Sequence, residues 1–164
     1  MTAFRAAMRR TPPVLLAVLA FGAAAAILMV LAEVSIIVSV DVANGSCAVI
    51  NDSSPSLADS CELSGLERHG GALILLGLVA LAMALGAGLG GSRPAAVALC
   101  TIGLVVLGIT LLFDRPETDE TGAIGRNFEG ATAAAGTGYY LELAAGLLAL
   151  AGGALALAAR RREP

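Results

Sequence analysis

The sequence has no tryptophan and no lysine, a single histidine and three cysteines, and only 14% of its residues are charged. With a formal net charge of −3 and no basic run beyond the chain ends, it offers no electrostatic footprint for a nucleic acid. There is no CxxC, which argues against thiol redox chemistry. One histidine without Cys, Asp or Glu at ligand spacing assembles no zinc motif, and the residues pair no nucleophile with a base. The expectation is a protein that is not an enzyme and carries no cofactor or metal.

Apolar residues are what the chain has in excess: 57% of 164, with a mean hydropathy of +0.85. A domain this small cannot hide so much apolar surface from water, so lipid has to cover it. Four apolar stretches predict transmembrane helices at 14–40 (its membrane part ending near 32), 71–90, 95–113 and 139–159. Each supplies about 20 residues, matching a hydrocarbon core of about 30 Å at 1.5 Å per residue. In lipid the backbone must satisfy itself, and no alternating barrel strands are visible. Arg5, Arg9 and Arg10 followed by Ala23-Ala24-Ala25 would also suit a signal peptide, but the apolar run continues past the length of an h-region.

Arginine placement sets the orientation. Seven (Arg5, Arg9, Arg10, Arg93, Arg160, Arg161, Arg162) fall with the two ends and the 91–94 turn, while Arg68, Arg115 and Arg126 fall opposite. By the positive-inside rule, residues 1–13, 91–94 and 160–164 are expected in the cytoplasm of a cell membrane. The outer segments, 41–70 and 114–138, carry ten acids and are expected to form an acidic cap. Arginine without lysine, in an Ala- and Gly-rich chain, reads as the coding bias of a GC-rich bacterial genome. Cys47 and Cys61 share the first outer segment, where a disulfide is favoured, and a loop of that size is stabilised by about 3 kcal/mol in the entropic account. Cys100 lies inside the third stretch as a small hydrophobe. The fold class expected is thus an all-α four-transmembrane-helix bundle with a small disulfide-stapled extracytoplasmic cap.

Within the outer segments, 56–59 resembles a capping box, and 114–138, with five glycines, reads as irregular and mobile. Residues 34–42 are rich in β-branched side chains and suit either the last turns of a long first helix or a strand outside the membrane. Two acids, Glu33 and Glu142, fall inside apolar stretches, where a charge costs roughly 2.5–3.5 kcal/mol on insertion scales, and are the candidate functional acids. Tyr139 and Tyr140 read as an interfacial aromatic belt just above Glu142, and His69 as an interfacial polar residue. Asp114, Glu117, Asp119 and Glu120 lack the spacing of an EF-hand and read as a solvated acidic loop. Small residues recur every fourth position (Gly22 and Ala26; Ala80, Ala84 and Gly88; Ala82, Gly86 and Gly90; Ala145, Ala149 and Gly153), a spacing that lets helix backbones approach closely.

The plan of four helices, cytoplasmic ends and a Cys pair in the first outer segment is similar to claudin-like tetraspan proteins, although the tryptophan signature of those proteins is absent. Four helices with an acid in the first also resemble the quaternary-ammonium type of small multidrug transporter, whose aromatic-lined site has no counterpart here. Two functions are therefore expected: a non-enzymatic scaffold or accessory subunit that meets a membrane-protein partner or a second copy through its outer cap, or a small transporter or sensor using Glu33. The lipid bilayer is the partner common to both.

Overall fold

The computed structural model describes residues 12–43 and 61–160. Cys47, the 56–59 box and the arginines at 5, 9, 10, 161 and 162 lie outside them.

The first helix, α1 (Pro13–Glu33), opens on a proline, whose missing N–H is not needed in a first turn. It stops at Glu33, where the sequence turns β-branched. The Ser35 hydroxyl donates to the Leu31 carbonyl at 2.6 Å, and the Ser35 N–H to Ala32, so two end carbonyls are satisfied. The chain then runs as a strand, β1 (Ile36–Asp41), which resolves the ambiguity of 34–42 in favour of a strand. After residue 61 come β2 (Glu62–Ser64), a short helix α2 (Gly65–His69), and two apolar helices, α3 (Ala72–Gly88) and α4 (Arg93–Ile109). A π-helical turn, Thr110–Asp114, continues α4 into α5 (Arg115–Glu117). The outer return holds α6 (Gly122–Asn127) and β3 (Thr132–Ala135), and α7 (Thr137–Arg160) completes the described chain.

Among the described residues three helical spans are long and apolar enough to cross a membrane: Pro13–Glu33, the span that begins at Arg93, and Thr137–Arg160. The fourth apolar helix, α3, has 17 residues and rises about 25 Å. Helix α7 packs on both α1 and α4, α1 also packs on α3, and α3 meets α4 more lightly. Many side chains at these contacts are small: Ala25, Ala80, Ala84, Ala145 and Ala149 are fully buried, together with the larger Met29, Leu73, Leu99 and Val106. Leu75, Leu78, Leu104 and Leu112 point outward and are more than half or about half exposed, as expected of a surface meant for lipid.

The all-α expectation is corrected by a three-stranded antiparallel sheet in the order β2-β1-β3. β1 is the central strand because its β-branched residues can pack on both sides: Ile37 and Val38 meet Tyr139 and Leu63, and Val40 meets Cys61 and Ile124. The 114–138 segment is likewise not irregular, since α6 buries Ile124 and β3 pairs with β1 from Val38–Ala135 to Asp41–Thr132. Local sequence misses both because three- and four-residue strands of Glu-Leu-Ser and Thr-Ala-Ala-Ala carry no propensity of their own and form only against β1.

Candidate functional site

Five ionisable side chains meet where the sheet joins the helices. Four local devices bring them there.

Glu33 ends α1 and is fully buried. Its carboxylate accepts hydrogen bonds from the backbone N–H of Gly71 and, at 3.2 Å, of Leu73. Those are the first N–H groups of α3, which otherwise lack intrahelical partners, and Gly71 has no side chain with which to cap them. Glu33 thus caps α3 from the end of a neighbouring helix, with its charge on the favourable side of the helix dipole. The approach is enabled by Gly65, where a Cβ would lie 2.6 Å from the Ala32 carbonyl oxygen and the Glu33 Cα.

Arg68 and His69 are set by α2. Ser64 and Glu67 form a capping box: the Ser64 side chain accepts from the Glu67 N–H, and Glu67 accepts from the Ser64 N–H at 2.9 Å and from its hydroxyl at 2.7 Å. Those bonds to Ser64 hold the Glu67 carboxyl below its usual range. The S-x-x-E spacing at 64–67 is legible in the sequence. Gly70 and Gly71 follow at φ +62° and +92°, a left-handed pair that turns the chain from α2 directly into α3.

Asp114 closes the π-helical turn. Thr110 is buried and its hydroxyl donates to the Val106 carbonyl at 2.9 Å, while Pro116 can donate no N–H, so the helix widens there. The change of phase leaves Leu111, Leu112 and Phe113 exposed and turns Asp114 inward, where it is fully buried. Asp114 is therefore not part of a solvated acidic loop, although Asp119 and Glu120 are exposed. Arg68 Nε donates to Asp114 Oδ1 at 3.0 Å, its Nη2 to the Phe113 carbonyl at 2.9 Å, and its Nη1 lies 3.2 Å from Glu117. The guanidinium thereby covers a carbonyl of the π-helical turn as well as two acids.

Glu142 lies one turn inside Tyr139 on α7 and is fully buried. Tyr139 is buried beneath the sheet and Tyr140 is 60% exposed, with their rings edge to face at 5.3 Å. His69 Nε2 stands 3.7 Å from Glu142 Oε2 and 3.8 Å from Asp114 Oδ2. These are charge contacts, too long for hydrogen bonds. Burial by itself would lower the His69 pKa, but the carboxylates of Glu142, Asp114 and Glu33 outweigh it and raise it. His69 Nε2, Asp114 Oδ2 and both Glu142 oxygens are buried and have no hydrogen-bond partner among the described residues. Chemically, the three side chains are able to share a proton or hold a cation.

Of the residues singled out from the sequence, the structure brings Glu33, His69, Glu142 and Asp114, the last expected in a solvated loop, into one neighbourhood, and adds Arg68. The pairing of Arg68 with Asp114 has no sequence signal, because residues 46 positions apart meet only through the tertiary packing of α2. No protein family, curated protein or solved structure with which the chain was compared matches it.

Proposed function

We propose that the chain is a four-pass protein of a bacterial cell membrane, with its ends and the 91–94 turn in the cytoplasm, acting as a non-enzymatic scaffold or accessory subunit. It meets a membrane-protein partner, or a second copy, through the acidic outer cap. The observation that carries this reading is the distribution of polarity in the described core. The helices are joined by apolar side chains, many of them alanine, over most of their length, and the buried acids Glu33, Asp114 and Glu142 gather at the end that bears the sheet. Such a bundle resembles a rigid mount for its cap more than a conduit. The reading of Glu33 as the acid of a transporter or sensor loses support because both its oxygens are taken up by the start of α3. Within the cap we propose the Cys47–Cys61 disulfide; the burial of Cys61 against Val40 and Ile124 favours a fixed position for it.

Topology and disulfide are tested by one set of labelling experiments. An impermeant maleimide applied to intact cells should reach a cysteine introduced at 119 and not one at 93, on a background without native cysteines. The denatured native chain should take one heavy maleimide, at Cys100, and three after reduction. Labelling at 93 alone reverses the orientation, and three additions without reductant dismiss the bridge.

The scaffold reading is tested by a photo-cross-linking residue in place of Glu62, exposed on β2, against one in place of Leu75 on the outward face of α3. In native membranes the cap position should give a discrete protein adduct and the α3 position only lipid. No adduct from the cap, together with proton-driven substrate flux in proteoliposomes that is lost on Glu33→Gln, would replace the scaffold with a transporter.

A further inference from the structure

We propose that His69, Asp114 and Glu142 form a binding site for one divalent transition-metal ion of the zinc class. The ion would tie α2, the end of α4 and α7 together at the base of the cap. The three donor atoms, His69 Nε2, an Asp114 oxygen and a Glu142 oxygen, lie within 4.8 Å of one another. Asp114 and Glu142 are fully buried, and the His69 side chain is 8% exposed.

The spacing itself points to an ion. At 3.7 and 3.8 Å the imidazole nitrogen is too far from either carboxylate for a hydrogen bond. It is also too near for a bridging water, which holds its two partners about 4.5–5.5 Å apart when each contact is about 2.8 Å. A metal bound at 2.0–2.2 Å to nitrogen and oxygen places its ligands about 3.3 Å apart in tetrahedral geometry. Between His69 and each carboxylate a contraction of a few tenths of an ångström is enough. Charge agrees: Arg68 occupies Asp114 through Oδ1 only, leaving Oδ2 turned to His69, and buried Glu142 has no arginine partner among the described residues. An uncompensated buried carboxylate is costly, and a divalent ion removes that cost with direct bonds to atoms that have no hydrogen-bond partner among the described residues.

The donor set selects the class of metal. A neutral imidazole suits zinc, copper, iron and nickel and is a poor ligand for magnesium or calcium, while the two carboxylates add oxygens that zinc accepts. Three protein ligands leave a fourth position for water or for a group from a docked partner. Arg68 fixes Asp114 from behind, as outer partners of metal-binding carboxylates commonly do.

The experiment uses the full chain, purified in detergent with any affinity tag removed and stripped with a chelator. Zn²⁺ is titrated against a competing chromophoric chelator. The expected result is one Zn²⁺ per chain, not displaced by millimolar Mg²⁺ or Ca²⁺. Affinity should fall at least 100-fold in His69→Gln and Glu142→Gln and stay unchanged in Asp119→Asn. Because His69 is the only histidine in the sequence, Cu²⁺ bound in its place should show the imidazole nitrogen in electron spin-echo spectra of the native chain, which decides the matter if a variant does not fold. Absence of uptake by the folded chain, uptake equal in all variants, or bound copper without an imidazole signal would each overturn the site. In those cases His69 acts as a protonated counter-ion to the two carboxylates.

Discussion

Gly103→Val is expected to cost the chain its folded state in detergent, while Gly108→Ala, five residues along the same helix, leaves it intact. At Gly103 an added Cβ would stand 2.5 Å from the Leu150 nitrogen and 2.8 Å from the Gly146 carbonyl oxygen. Both are backbone atoms of α7, so no rotamer change relieves the clash, and α4 and α7 must separate. Overpacking usually costs 1–3 kcal/mol. Here about 3 kcal/mol or more is expected, because between helices in lipid this packing is itself a principal source of attraction. At Gly108 a Cβ meets nothing within 4 Å, and alanine removes glycine's disadvantage in a helix of about 0.5–1 kcal/mol. The measurement is the temperature at which the monodisperse gel-filtration peak is half lost. Gly103→Val melting within a degree or two of the native chain would show that the α4–α7 contact is looser than described.

Glu33→Gln is expected to destabilise the protein by about 1–3 kcal/mol, and Glu33→Leu by more. An isostere would be harmless if the acid only sat at the interface, but both oxygens accept backbone N–H groups of α3. Glutamine has one acceptor oxygen and turns an NH₂ toward the other N–H. It therefore loses a hydrogen bond to a charged group, worth about 1.5–3 kcal/mol, and the charge facing the helix dipole. Chemical denaturation of the three forms gives the free energies. Hydrogen exchange locates the effect, and protection should fall first at Gly71 and Leu73. A Gln variant as stable as the native chain, with those amides still protected, would return Glu33 to the pool of candidate transport acids.

The same two positions show how much could be read in advance. Hydropathy alone marks the apolar helices, because a backbone in lipid has no alternative to bonding within itself and about 20 apolar residues are needed to cross. It also marks Glu33 and Glu142 as costly where they stand. Hydropathy does not reveal what occupies their oxygens. That depends on Gly65 bringing α2 against the end of α1, and on Gly70 and Gly71 turning α2 into α3. Likewise, several stripes of small residues compete on the page. Ala80, Ala84 and Gly88 are buried in the structure, whereas Ala82 and Gly90 face outward. A four-residue repeat gives the helix a smooth face without specifying a partner for it.

By itself the sequence determined the kind of solvent this protein requires, the number and approximate span of its apolar segments, and the acids that cannot be placed there without compensation. These are properties of short segments summed against lipid and water, and they need no knowledge of neighbours. Only the tertiary structure decided the strand pairing around β1 and the inward turn of Asp114 at the widened helix. The same holds for Glu33 as the cap of α3 and for the meeting of His69, Asp114 and Glu142. The physical reason is common to all four: each depends on polar atoms from elements far apart in sequence, whose satisfaction is a matter of distances of 3–4 Å that no local pattern encodes.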